Sequence, residues 1–272
     1  MRSIWQSLKA LYSGPFQSTL VFSFTLVAAL TIALGSWVIS NTISAYLAEA
    51  MDERVAKDIQ CAKTFYLIKQ QGLTQTANQL SLSNTILDLF TAAKEGDLPA
   101  LDRIQSKLMT AISDDSWQGN RAVALLDHQG RVVTGLVLDK ELQDREINLG
   151  ANWSDFVLVA STLGSGELRS ATEVIPQNVL ADAGLADQAK INLLPTSKSA
   201  PKPFDEREGS AGLGIVAVSP IYLNNDLQGA VVIFHLFNND FTLVDSIKSS
   251  TKIDTVTIFF GDLRVSTNVM TA

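Results

Sequence analysis

The chain has 272 residues, 46% hydrophobic and 18% charged, with 28 acidic against 21 basic side chains and a net charge of −7. This acidic balance, with no basic stripe, excludes a nucleic-acid binder, because phosphate recognition needs clustered Lys and Arg. Cys61 is the only cysteine, and His128 and His235 are the only histidines, which excludes an intramolecular disulfide, a haem-attachment motif and a thiolate zinc site. No cofactor is expected, and a metal centre would have to rest on carboxylates.

From Ala10 to Ala48 there is no Asp, Glu, Lys, Arg or His, and Leu20 to Ile39 is almost wholly apolar. About twenty such residues at roughly 1.5 Å rise each match a bilayer core of about 30 Å. The expected organisation is a cytoplasmic N-terminus over residues 1–17 and a transmembrane helix over 18–40. A cleaved signal peptide is the alternative, since Arg2 and Lys9 supply a basic start. Signal cores, however, run only about 7–15 residues, and here the apolar run passes unbroken into a helical pattern. The positive-inside rule places the N-terminus in the cytoplasm and exports the rest, by a small margin of charges.

Residues 41–116 read as a stalk and helical segment. Ile43, Leu47, Met51, Val55, Ile59, Ala62 and Tyr66 recur at steps of four and three, one face of a helix. With neither Pro nor Gly between Ser36 and Gln71, the membrane helix is expected to continue until Gly72 caps it. That face suits a homodimer seam; packing against its own domain is the alternative. Leu73 to Phe90 marks a second helix. A third opens at an Asp97 N-cap, with Pro99 in its first turn, and buries Leu101, Ile104, Leu108, Ala111 and Ile112 before Asp114-Asp115-Ser116 ends it.

From Arg121 the period shortens. Ala122 to Leu126 and Arg131 to Leu138 read as strands around the turn Asp127-His128-Gln129-Gly130. A short helix is expected over Trp153 to Ser161 and a strand over Thr172 to Ile175, closed by Pro176. A polar excursion follows from Gln177 to Gly209, helical around Val179 to Ala189 and extended through Pro195 to Pro203. Gly214 to Leu223 and Leu227 to Leu236 form a hairpin about Asn224-Asn225-Asp226. Asp240 to Ser249 reads as a helix, Thr255 to Phe260 as a strand, and Arg264 to Asn268 as its partner. Helices followed by an antiparallel set of strands make the fold class α+β.

Several strings, in this order, resemble a known family: MDERVAKDIQCAKTFY, AVALLDHQGRVVTG, ATEVIPQNVLADAGLADQAKINLLPT, VAVSPIY, NNDFTLVDSIK and TVTIFFGDLRVSTNV. From about Ala50 onward the chain resembles the extracytoplasmic double-Cache sensor region of bacterial transmembrane receptors, among them sensor histidine kinases, chemoreceptors and cyclases. The resemblance implies a PAS-like antiparallel sheet with the stalk helix along one side. It also implies a membrane-distal Cache-like module over residues 117–250 and the start of a second over 251–272. Such receptors continue past GDLRVSTNV into the rest of a proximal module, a second membrane helix and an output unit, which is where any kinase or cyclase activity would lie. Relatives tend to carry small residues where Ile233, Phe234 and His235 stand, which alters the volume beside that strand.

No catalytic constellation is legible. Gly164-Ser165-Gly166 and Gly212-Leu213-Gly214 each lead into a strand, which fits neither a nucleophile elbow nor a dinucleotide loop. Asp114-Asp115 is an ordinary solvated helix end. A solute pocket needs apolar walls and a few orienting polar groups, and five residues are candidates. Arg121, opening the first strand, suits a ligand carboxylate or is a solvated strand end. Trp153 is a stacking wall or a helix-start anchor. Arg169 is a ligand contact or pairs with Glu173 at the surface. Tyr222 points its hydroxyl into a cavity or closes the sheet edge. His235 contacts a ligand or is a satisfied core histidine. The expected function is a membrane-anchored periplasmic sensor that binds a small solute and signals through the stalk. The alternative is a membrane-tethered scaffold recognising a partner protein.

Overall fold

The computed structural model describes residues 16–113, 119–139, 144–191, 207, 210–251 and 253–269. The chain divides into two units, 1–59 and 60–272, and the division falls within the first helix, α1 (Phe16–Ser81).

In the first unit the apolar side chains of α1 face outward: Val21 is 64% exposed, Phe24 68% and Trp37 67%. The hydroxyls of Ser23, Thr25 and Thr31 bond back to the carbonyls of Leu20, Val21 and Val27, so these residues add no unsatisfied polar atom to the apolar surface. By length and composition this helix is able to cross a membrane. The stripe Ile43, Leu47, Met51, Val55 and Ile59 is exposed as well.

In the second unit α1 runs through Gly72, which does not cap it. Leu73, Ala77 and Leu80 beyond it are buried. A mid-helix glycine costs about 1 kcal/mol, and burying one leucine returns about 1.5–3 kcal/mol, so packing overrides the local stop signal. The helix expected over Leu73 to Phe90 is therefore two pieces, the end of α1 and α2 (Asn84–Lys94). α3 (Leu98–Ile112) starts as expected: Asp97 Oδ2 accepts the Ala100 amide at 3.1 Å, with Pro99 in the first turn. The residues expected to end it, Asp114 to Ser116, lie outside those described.

Six strands form an antiparallel sheet: β1 (Arg121–Asp127), β2 (Val132–Leu138), β3 (Asp144–Glu146), β4 (Arg169–Ile175), β5 (Gly212–Leu223) and β6 (Asp226–Leu236). Their spatial order is β3-β2-β1-β6-β5-β4. The first and last strands meet at the centre, with Val123 opposite Ile233. Both faces of this pair are buried. Val123, Leu125, Val231 and Ile233 pack with Leu73, Phe90 and Ile104 of α1–α3. Ala122, Ala124, Val232 and Phe234 pack with Trp153, Phe156, Val179 and Leu180 on the other side.

α1 also closes the β4 edge. Tyr66 Oη lies 2.8 Å from Thr172 Oγ1, and Gln70 Nε2 donates to the Ser170 carbonyl at 3.1 Å. Ser81 and Ser219 share a buried hydroxyl bond of 2.8 Å. An edge with unpaired backbone groups is thus covered by its own chain.

The turns follow the sequence. Asp127 Oδ1 accepts from Gln129 and Arg131, and Gly130 takes φ +77°. Asn224 and Asn225, at φ +52° and +68°, make the β5–β6 hairpin, with Leu223 facing Asp226. The Trp153 amide bonds to the Gly130 carbonyl and Ser154 to Asn152 Oδ1. That turn delays the expected helix to α4 (Val157–Ser165). Gly184 at φ +64° splits the next helical stretch into α5 (Gln177–Asp182) and α6 (Ala186–Ala189). The extended loop expected over Pro195 to Pro203 lies outside the described residues. After the sheet come α7 (Thr242–Thr251) and a separate hairpin of β7 (Thr257–Phe260) and β8 (Leu263–Thr267).

The left-handed turn at Asn224-Asn225 generates a prediction. Asn225→Val should lower the stability of the purified protein by about 1–2 kcal/mol, because a β-branched residue tolerates positive φ poorly. Asn225→Gly should cost nothing measurable in the same denaturant titration.

Candidate functional site

The five residues singled out in the sequence fall in three places. Arg121 and His235 come together as cross-strand partners at one end of the β1–β6 pair. Alternation along the strands sends both to the face covered by α1, and both are buried, Arg121 at 2% exposure. Arg121 is therefore not a solvated strand end. Trp153 lies on the opposite face, buried, with its Nε1 donating to Asp182 Oδ2 at 3.2 Å and its ring 6.3 Å from Phe234. Phe234 thus occupies volume on that face where a small residue would leave space. Arg169 and Tyr222 lie at the far end of the sheet, and each bonds to the turn that ends α4. Tyr222 Oη donates to the Gly166 carbonyl at 2.9 Å. Arg169 pairs with Glu167 at 3.2 Å, not with Glu173, and reaches Ser165 Oγ.

Around Arg121 and His235 the structure assembles residues that the sequence reading passed over: Lys69, Gly119, Asn120 and Asp240. His235 Nε2 stands 3.3 Å from Asp240 Oδ2. The contact is close but not in line for a hydrogen bond, and neither ring nitrogen has an aligned partner among the described residues. Asp240 is committed elsewhere. Its Oδ2 accepts the Asn120 amide at 2.8 Å, and its Oδ1 accepts the Thr242 amide at 3.0 Å and hydroxyl at 2.7 Å, holding the first turn of α7. Gly119, at φ +111°, passes so close that a Cβ there would run into the Asp240 carboxylate and the His235 ring.

The electrostatics follow from burial. Desolvation pushes Lys69 down from 10.5 to about 8, with Asp240 opposing the shift and Arg121 adding to it. Desolvation also drives His235 well below its usual 6.5, reinforced by the Lys69 cation and, less, by Arg121, and opposed by Asp240. The imidazole is neutral at neutral pH. Lys69 of α1, Arg121 of β1 and His235 of β6 thus lie within electrostatic reach of the Asp240 carboxylate that holds the first turn of α7. Lys69 carried a signal in the sequence: it follows Tyr66 by three residues and precedes Leu73 by four, so a lysine stands on the buried stripe.

Next to this cluster, Asn238-Asn239-Asp240 joins several elements. Buried Asn238 donates from Nδ2 to the Ala189 carbonyl at 2.7 Å and accepts the Leu213 amide at 2.9 Å. Asn239, at φ +56°, donates from Nδ2 to the carbonyls of Gln188 and Lys190 at 2.8 and 2.9 Å. Gln188 Nε2 donates back to the carbonyls of Asn238 and Asn239. The Asn239 amide bonds to the Val265 carbonyl at 2.8 Å, and Ser266 Oγ to the Asp240 carbonyl.

Open grooves occur among the described residues. One of about 360 Å³ lies between α1 and α3, lined by Thr76, Gln79, Ser83, Lys107 and Thr110. Another, about 450 Å³, runs along α7 from Asn239 to Ser249. Among the described residues no cluster of His, Cys, Asp and Glu is arranged to hold a metal.

Residues 235–272 match the profile of the family described as single Cache domain 3. The match starts at His235, runs through the Asn238–Asp240 junction and takes in α7 and the β7–β8 hairpin. A search of curated proteins found no match. Among solved structures, the sensor domain of the Vibrio cholerae histidine kinase DctB is 9% identical, with a TM-score of 0.46, over 81% of this chain and 68% of that one. The periplasmic domain of Vibrio cholerae LuxQ is 8% identical, at 0.45, over 79% and 78%. The sensory domain of the Campylobacter jejuni chemoreceptor Tlp3, solved with isoleucine bound, is 9% identical, at 0.39, over 79% and 68%. The chain spans about 60% of the extracellular domain of vpHK1S-Z8, another structure of this kind. The resemblance to Cache-type sensor regions and the α+β fold, a long apolar N-terminal helix followed by an antiparallel sheet, stand.

The shifted groups predict a pH dependence. His235 stays neutral in the folded state but takes a proton below 6.5 when unfolded. The unfolded chain then binds more protons, so this group makes stability rise with pH up to 6.5. Lys69 acts in the same direction between about 8 and 10.5. In titrations of unfolding free energy, His235→Gln should flatten the acidic rise and Lys69→Met the alkaline one, each by up to about one proton.

Proposed function

We propose that this chain is the extracytoplasmic sensor region of a bacterial signal-transduction receptor, held in the inner membrane by the apolar part of α1. In this reading the N-terminus is cytoplasmic and residues beyond about 41 are periplasmic. The observation that carries it is a helix with a membrane-competent, charge-free first part leading into an antiparallel sheet, followed by a stretch, 235–272, that carries a Cache signature. A small solute is read by the folded unit, and its signal leaves through α1.

The physics requires that the solute bind one of two packings of helix against sheet more tightly than the other, since only differential affinity shifts an equilibrium. The contacts that would change are those of Tyr66, Gln70 and Ser81 with Thr172, Ser170 and Ser219. Arg121 and His235 are buried under α1, so a solute reaches them only by loosening that contact. Trp153 is buried on the other face, while Arg169 and Tyr222 are accessible from solvent. The exposed stripe from Ile43 to Ile59 serves a homodimer through the stalk. Residues 251–272 begin a second Cache-like module.

A panel of small solutes screened by thermal shift tests the reading. A true ligand at 100 times its dissociation constant adds about 2.7 kcal/mol of stability. If no solute raises the melting temperature and a specific protein co-purifies, the chain is a tethered scaffold instead. Val55→Glu or Ile59→Glu in the receptor should abolish output while solute binding persists. Unchanged output in both variants removes the stalk from the transmission route.

A further inference from the structure

We propose that Asn238 and Asn239 form a latch that makes the α5–α6 layer, on one face of the sheet, move together with the β7–β8 hairpin; as a signalling route this rests on the sensor reading. No stalk residue takes part in the bonds that build it, so it is a second path out of the folded unit.

The geometry is a reciprocal clamp. Asn238 and Asn239 reach over to the carbonyls of Ala189, Gln188 and Lys190, while Gln188 reaches back to the carbonyls of Asn238 and Asn239. The same Asn239 holds the hairpin through its amide, bonded to the Val265 carbonyl. Ser266, one residue on, holds the Asp240 carbonyl. On its inner side the α5–α6 layer is part of the core: Val179, Leu180, Leu185 and Ala189 pack with Phe234 and Leu236. Displacing that layer pulls on Asn239 directly.

Asn239 supplies the element with two states. At φ +56° it occupies the left-handed region, where Asn is tolerated but which a non-glycine residue leaves once its surroundings stop enforcing it. Its side-chain bonds to the Gln188 and Lys190 carbonyls, and the Gln188 side-chain amide that holds its own carbonyl, provide that enforcement together. When they break, the backbone relaxes to negative φ and the amide turns away from Val265. A change on the sheet's far face thereby becomes the release of one end of β8. Side-chain amides suit this role, because donor and acceptor on one group let a single residue clamp and be clamped.

Hydrogen exchange on the full chain in nanodiscs, without any solute, tests the latch. Gln188→Leu removes both return bonds without touching the hairpin. Exchange in residues 263–267 should speed up about fivefold, the effect of losing roughly one net hydrogen bond, while β1 and β2 stay unchanged. Asn239→Ala should do the same more strongly. Tyr222→Phe, which removes a bond at the opposite end of the sheet, should leave residues 263–267 as they were. Faster exchange confined to 186–191 in Gln188→Leu, or an equal effect in Tyr222→Phe, overturns the latch. Because no ligand or output is measured, this result and that of the solute screen stand or fall separately.

Discussion

The central antiparallel pair, β1 against β6, is buried on both faces, and the rest of the folded unit answers to that constraint. A sheet apolar on one side needs one cover; this one needs two. α1, α2 and α3 supply the first, α4 to α6 the second. The requirement explains why α1 continues past Gly72: its last turns bury Leu73, Ala77 and Leu80 on the sheet. It also explains why the polar excursion after β4 contains helices, since Val179 and Leu180 must close the other face.

The buried ionisable groups Arg121, His235 and Asp240 gather where elements change direction. Arg121 and His235 sit where β1 begins and β6 ends. Asp240 stands just beyond, accepting bonds from Asn120 and Thr242 while facing the imidazole. A buried carboxylate is tolerable because its oxygens are occupied by N–H and O–H donors and cations lie close by. Its position also defines where the sheet stops and α7 starts. The junction is thus a structural boundary and, through Asn238 and Asn239, a mechanical connection.

Much of the fold was legible in the residues. Alternation and turn chemistry placed the β1–β2 and β5–β6 hairpins, since Asp127-Gly130 and Asn224-Asn225 announce turns by local conformational preference. The Asp97 cap and Pro99 fixed the start of α3 for the same reason. The misses share a cause. Gly72 reads as a stop, and Trp153 as a helix start, only while distant partners are ignored. Burial against the sheet carried α1 onward, and the Gly130 carbonyl held Trp153 in a turn. Of the five candidate residues, pairing register united Arg121 with His235 and sent Arg169 and Tyr222 to the other end, a separation invisible along the chain. Arg169 pairs with Glu167 because Glu173 is four residues further along an extended strand.

The sequence by itself determined that an uncharged apolar helix precedes an acidic α+β region built from hairpins. It did so because hydrophobic periodicity, charge and turn preference are local properties. Only the tertiary structure decided that Lys69, Arg121, His235 and Asp240 share one buried site, and that Gln188 clasps Asn239. Those residues come from separate elements, and it is strand register together with the two-sided covering of the sheet that brings them within reach.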